Sequence, residues 1–251
     1  MCRSRLRKLG ISLERSASAV LVPLVFAGSV RVAAAQSQNA DSALNACLAT
    51  DTTTGWQGVA SAWADESGLT WSNDPLRQRL LRLAERDQSV RQAGQLADSL
   101  DTADFRRRMR VVDSTNATAL RDIIDRFGWP TKSMVGPKGA SAAFLIAQHN
   151  ERLQHEVLAL MQALPPGEVA PGERAMLEDR VRVRDGLPQR YGTQLTWDST
   201  GVMRFDPIED LDHLDARRVE VGLPPIPVYI CMMRAVYGRQ VAWPPDSHPE
   251  R

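Results

Sequence analysis

The sequence predicts a mainly α protein, a helical domain with one small β-hairpin. Apolar residues recur near the 3.6-residue period over long stretches between residues 74 and 185. Pro and Gly stand at the edges of these stretches, as at Pro75, Gly128, Pro171 and Gly186. Alternation of the two-residue period around a Gly-containing turn occurs in one place, QLTWDSTGVMRFDPI. No internal repeat is present.

Residues 1–35 read as a secretory signal peptide. Arg3, Arg5, Arg7 and Lys8 form a positive start, Ala19 to Val30 is an apolar run of 12 residues, and Ala33-Ala34-Ala35 offers a cleavage site before Gln36. The run is shorter than the about 20 residues of a membrane span. No Cys follows the cleavage site, and Arg3 and Arg5 are not adjacent, which argues against a lipoprotein and a twin-arginine signal. The expectation is a periplasmic or secreted protein with no stable membrane span after signal removal. Removal takes six basic residues and one acid from the chain's 31 and 30, leaving 25 and 29 and a net charge of −4. Such a balance excludes generic nucleic-acid binding, which needs a basic footprint. Cys2 leaves with the signal. In an oxidising compartment Cys47 and Cys231 can pair, which over so long a loop is worth about 5 kcal/mol in the chain-entropy account. The alternative is two buried thiols.

Residues 36–74 form an N-terminal extension. Trp56, Trp63 and Trp71 are spaced seven and eight apart, but Gly55, Gly58, Gly68 and Asp51–Thr54 interrupt, so one helix over about Gln57–Glu66 is expected. It reads as a Trp-anchored flap on the main domain or, alternatively, an aromatic platform for carbohydrate.

The helical domain spans 75–240, with a tail over 241–251. Its first helix is capped by Asn73 or Asp74, with Pro75 in the first turn and a stripe of Leu76, Leu80, Leu83, Ala84 and Val90. A second runs over Ala103–Arg126 with Phe105, Met109, Val112, Leu120, Ile123 and Ile124 apolar; Asp113-Ser114-Thr115-Asn116 is expected to break it, with Ser114 or Thr115 capping the second half. FGWPTKSMVGPKG, residues 127–139, reads as a loop, from its Gly128, Pro130 and Gly136-Pro137. GASAAFLIAQHN is apolar all round and should be buried on every side. ERLQHEVLALMQAL continues it or starts a companion helix, closed by Pro165-Pro166-Gly167, and PGERAMLEDRVRVRDG is the next helix. After the hairpin, IEDLDHLDARRVEVG is a short helix with acids in its first turn, and LPPIPVYICMMRAVYG is a final helix carrying Cys231.

Several motifs fail on spacing. GPKGAS lacks the pattern of a phosphate loop. No G-x-S-x-G exists. His149 and His155 are six apart, and no Cys/His cluster suits zinc, so no metal and no cofactor are expected. Asp210, Asp212 and Asp215 beside His213 lack the Gly and Glu of a calcium loop and read as a capped helix start. What remains is polar residues where apolar ones would be easier: Gln148-His149, Asp179-Arg180, and Gln189, Tyr191, Thr193 and Gln194 of GLPQRYGTQ. Buried amides and imidazoles need partners. As a site, His149 would be a general base oriented by Asp179, Arg180 or Arg190 would meet an anion, and Gln148, Gln189, Tyr191 and Gln194 would hold the ligand. As structure, the same groups would bond to one another. Gly186–Gln194 is expected to fold back on the C-terminal end of the Gly139–Asn150 helix, with Gln189 and Gln194 bonded to Gln148, His149 or backbone and the Tyr191 hydroxyl bonded.

FGWPTKSMVG, AAFLIAQHN, LEDRV, GLPQRYGTQ and PIEDLDHLDARRVEVGLPP, in this order, resemble the bacterial family Domain of Unknown Function 6624, and LRQRLLRLAERDQSVRQ resembles its first helix. The resemblance covers about 75–240. Phe127 and Phe144 depart from its pattern, and it implies no activity, substrate or cofactor. Two function classes follow: a cell-envelope binding or structural module whose partner is a small molecule or an envelope component, or a small periplasmic hydrolase-like enzyme using His149 as general base.

Overall fold

The computed structural model describes residues 42–51, 53–96, 102–238 and 240–245, so the expected signal peptide and its cleavage site lie outside them. The chain order is α1 (42–48), α2 (Trp56–Ala64), α3 (Asp74–Leu96), α4 (Ala103–Phe127), α5 (Lys132–Gln148), α6 (Glu151–Gln162), α7 (Pro171–Arg184), β1 (Leu195–Trp197), β2 (Met203–Phe205), a 3-10 turn (Leu211–His213), α8 (Leu214–Glu220) and α9 (Ile226–Tyr237). The mainly α architecture with one hairpin is as expected.

Capping chemistry sets the helix starts. Leu76 N donates to Asn73 Oδ1 at 3.0 Å, Phe105 N to Thr102 Oγ1 at 3.1 Å, and Arg152 N to Asn150 Oδ1 at 3.2 Å. Two expectations are corrected. α4 does not break at Asp113–Asn116: the hydroxyls of Thr115 and Thr118 donate back to the carbonyls of Val111 and Ser114, at 2.8 and 3.1 Å, instead of capping a new helix. Residues 132–135 are not loop but a helical turn capped by Thr131. Gly136 then breaks the geometry, with φ 69°, and Pro137 restarts the helix. Only glycine fits there, because a Cβ would lie 2.6 Å from Arg77 Nη1, a guanidinium held by Glu66 and the Val135 carbonyl.

α5 is the axis of the domain. From Val135 to Gln148 it is buried at every position but Lys138, as its all-round apolar sequence demands. α3 packs along it, α4 and α6 flank it, and α7 lies beside α6. Lys132 N donates to Glu168 O just before α7 begins, and Arg184 at the end of α7 donates to Glu151 O just after α5 ends. α5 and α7 therefore run parallel.

A second core joins α9, the hairpin and α8 to Trp56 and Cys47 of the N-terminal segment. The hairpin pairs Leu195 with Phe205 and Trp197 with Met203, and its turn is knotted by Asp198, which accepts from Thr200 N at 2.8 Å and Val202 N at 3.0 Å. Cys47 and Cys231 form a disulfide with Cα atoms 5.7 Å apart, tying α1 to α9. No helix among the described residues is long and apolar enough to cross a membrane.

Candidate functional site

GLPQRYGTQ leaves α7 at Gly186, and its backbone groups are claimed one after another. The carbonyls of Pro188, Arg190, Tyr191, Gly192 and Thr193 accept from Arg182, Arg217, Arg218, Arg218 again and Tyr229. Those of Gln189 and Gln194 accept from Glu209 N and Gln189 Nε2. On the donor side, the amides of Arg190, Tyr191 and Thr193 converge on the Asp179 carboxylate at 2.7, 3.0 and 3.0 Å, and the Thr193 hydroxyl joins them at 2.9 Å. Gln189, fully buried, receives Gln194 N on Oε1 and donates to Gln194 O and Asp206 O. Gly192, with φ 61°, lies where a Cβ would come 2.8 Å from Ile208. Arg218 is wholly buried against the Tyr229 ring, and burial lowers its pKa to about 10 while raising that of Tyr229 to about 12.

The stretch is thus tied to the fold by Asp179, Arg182, Arg217, Arg218, Tyr229 and neighbouring backbone groups rather than by Gln148 or His149. Asp179 is committed to holding this loop, so the expected His149–Asp179 pair is not what the fold brings together. Arg190 is paired with Glu178 and Glu209, both at 3.2 Å. Tyr191 packs its ring on the main core, but no hydrogen bond reaches its hydroxyl among the described residues. Gln194 donates its amide to Thr193 Oγ1 at 3.0 Å. Asp210 pairs with His213 and Arg217 at the start of α8, but, against expectation, neither the Asp210 nor the His213 side chain caps a helix there.

His149 sits in a different cluster. Its Nδ1 is 3.2 Å from Asp87 Oδ2, too skewed for an aligned hydrogen bond, and its side chain keeps 13 % exposure. Asp87, on α3, is fully buried. Arg91 grips it through Nε at 3.0 Å and Nη2 at 3.2 Å, and its Nη2 also donates to Asp113 of α4 at 2.6 Å. Burial pushes His149 below its ordinary pKa, outweighing Asp87, so the ring is neutral near pH 7. Burial would raise Asp87, but His149 and Arg91 outweigh it and hold the carboxyl ionised, whereas burial dominates at Asp113 and raises it. A neutral imidazole with Nδ1 against a buried carboxylate carries its proton there and leaves the Nε2 lone pair as a base. One turn beyond Asp113 on the same helix lies Asn116, 1 % exposed, with neither its amide nitrogen nor its oxygen hydrogen-bonded among the described residues.

The parallel run of α5 and α7 extends this cluster. Ser141 of α5 lies beside Glu173 of α7, a buried carboxyl that desolvation lifts to about 7. Seven residues further on each helix stand Gln148 and Arg180, which the shared period brings to the same end of the bundle as His149. Gln148 is buried, and its Nε2 has no partner among the described residues. Arg180 makes no hydrogen bond or ion pair among the described residues; its field reaches Tyr229, Arg91, Tyr237 and Glu151, and burial lowers its pKa. One ligand atom each from Asp87, Asp113 and His149 lie within 4.8 Å of one another, but a divalent ion there would compete with Arg91 for the same carboxylates. Two hollows of about 430 and 470 Å³ open elsewhere, around Arg234, and His149 lines neither.

Asp87, Asp113 and Asn116 escaped the sequence reading, yet they carried a signal. Asp87 continues the Leu76, Leu80, Leu83 stripe, and Asp113 and Asn116 fall between Met109 and Leu120 on the buried stripe of α4. A polar residue interrupting an apolar stripe is the pattern to look for.

A family model described as a family of unknown function, DUF6624, matches residues 74–242. The chain belongs to DUF6624. Both polar clusters fall within the matched DUF6624 region. No curated protein and no solved structure matches this chain.

Proposed function

We propose that this DUF6624 chain is an exported binding domain of the cell envelope, with the His149 cluster rather than GLPQRYGTQ as its working site. One observation carries the reading: GLPQRYGTQ spends its polar groups on the fold, while His149, Gln148, Asn116 and Arg180 retain donors and acceptors that the fold does not use. Buried polar groups without partners mark the places where a ligand is worth most. Export is supported by the pattern of residues 1–35 and by the Cys47–Cys231 bridge. A second reading, a hydrolase-like enzyme, rests on Asp87 at Nδ1 of a neutral His149, the arrangement that prepares an imidazole to take a proton from water.

The test is a thermal-shift screen of small polar metabolites against the disulfide-bonded protein, because a native-state binder raises apparent stability. A hit whose effect vanishes in His149→Ala supports the site, and turnover of that hit selects the second reading. Hits that ignore His149→Ala, or a screen without hits, defeat the site. Export is tested separately by intact mass, with a product starting at Gln36 expected and one retaining residues 1–35 contradicting it.

A further inference from the structure

Arg180 is the one partner-seeking group of the cluster that carries full charge. Large charged side chains taken largely out of water are paired with a counter-charge or hydrogen-bonded, as Arg218 is by three carbonyls, because desolvation without either is expensive. Arg182 and Arg190 of the same segment have carboxylates at 2.6 and 3.2 Å, and Arg91 has two. Arg180 is half-buried and has no carboxylate in ion-pair contact among the described residues, with Arg91 near enough to disfavour its charge and Glu151 near enough to favour it. It comes from α7 to the end of α5, where Gln148 keeps a buried amide donor and the His149 side chain keeps 13 % exposure. A guanidinium fork, an amide N–H and an imidazole suit an acceptor-only group with two oxygens.

We propose that Arg180 anchors the carboxylate of a small organic acid, lying beside His149 with Gln148 as a further donor; the inference rests on the His149 site proposed above. Free donors select the class. Arg91 spends its guanidinium on Asp87 and Asp113, which leaves Arg180 as the cation of the cluster with its fork unspent. Asp87, Asp113 and Glu151 surround it with negative charge, which disfavours a dianionic phosphate more strongly than a monoanionic carboxylate.

NMR titration of the full disulfide-bonded protein tests this, with sodium formate, acetate and lactate as probes and inorganic phosphate as the dianion. The readouts are the Arg180 side-chain Nε–H signal and the titration of the His149 ring. Saturable shifts of both with a carboxylate, and a rise in the His149 pKa as the bound anion favours the imidazolium, are expected. Arg180→Gln should weaken that binding by about tenfold or more, with Arg180→Lys intermediate, because ammonium keeps the charge but loses the fork. Arg180→Gln should leave the His149–Asp87 coupling in the free protein unchanged, which shows that the variant is folded. Tighter binding of phosphate, binding insensitive to Arg180→Gln, or no saturable carboxylate binding overturns the inference. An uncharged ligand that depends on His149 but not on Arg180 would overturn it and leave the site itself standing.

Discussion

Asp179 and Asp87 are both fully exposed to the protein interior and hidden from water, each on the inward face of a long helix. They are neutralised by different means. Asp179 is solvated by three loop amides and a hydroxyl, and burial still leaves its pKa raised. Asp87 faces a full cation in Arg91 and an imidazole, and its pKa is lowered in spite of burial. Fixed dipoles around Asp179 make a rigid joint in which both carboxylate oxygens are engaged. The charges around Asp87 are carried on side chains that can rearrange, and His149, Gln148 and Asn116 keep unused atoms. The difference separates polar residues that hold a fold from polar residues that wait for a partner.

The largest effect should come from breaking the joint. Asp179→Ala strands the amides of Arg190, Tyr191 and Thr193 inside the protein, and a loss of more than about 3 kcal/mol in urea unfolding is expected. A loss below about 1 kcal/mol would show that the loop finds other acceptors and is not pinned by this carboxylate.

Replacing both Cys47 and Cys231 by Ala should cost about 2–4 kcal/mol. The damage should centre on the core of α9, the hairpin and Trp56, leaving the His149 ring titration in place, and hydrogen exchange can locate it. Equal loss of protection around Asp87 would mean that the two clusters are one cooperative unit.

Glu173 tests the sealed end of the α5/α7 face. Its folded pKa of about 7 lies above the ordinary 4.5, so the native state holds a proton that the unfolded chain has released. Its contribution is present below about pH 4.5 and lost as pH rises through 7, by up to about 3 kcal/mol. Glu173→Gln should flatten stability between those limits and stabilise the protein at pH 8. Asp87 has the opposite sign: its lowered pKa gives stability above pH 3.8 that is lost as pH falls. An unchanged pH profile in Glu173→Gln would place another group in control.

The smallest effect on stability should be at His149. His149→Ala removes a ring that is partly exposed and has no aligned hydrogen bond, so a change within about 1 kcal/mol is expected while ligand binding is abolished. A loss of 1–3 kcal/mol, measured in the same urea series, would put His149 with the structural groups by leaving Asp87 short of a partner.

Local pattern determined much of this protein. The Leu76, Leu80, Leu83 stripe, the all-round apolar α5 and the single Gly-bearing turn at Asp198–Gly201 made the helices and hairpin legible, because burial follows period and turns follow glycine. It failed at Asp113–Asn116 and at residues 132–135, where weak helix formers were held helical by packing on α3 and α5 and by the Thr131 cap. The polar residues GLPQRYGTQ, Asp179 and His149 stood out as a set, but which of them meet was decided by tertiary structure alone. Asp87 and His149 are 62 positions apart, and Arg180 reaches their end of the bundle only because α5 and α7 run parallel. A carboxylate's partner is chosen by which helix lies across from it, and a one-dimensional period says which face is buried but not what it is buried against.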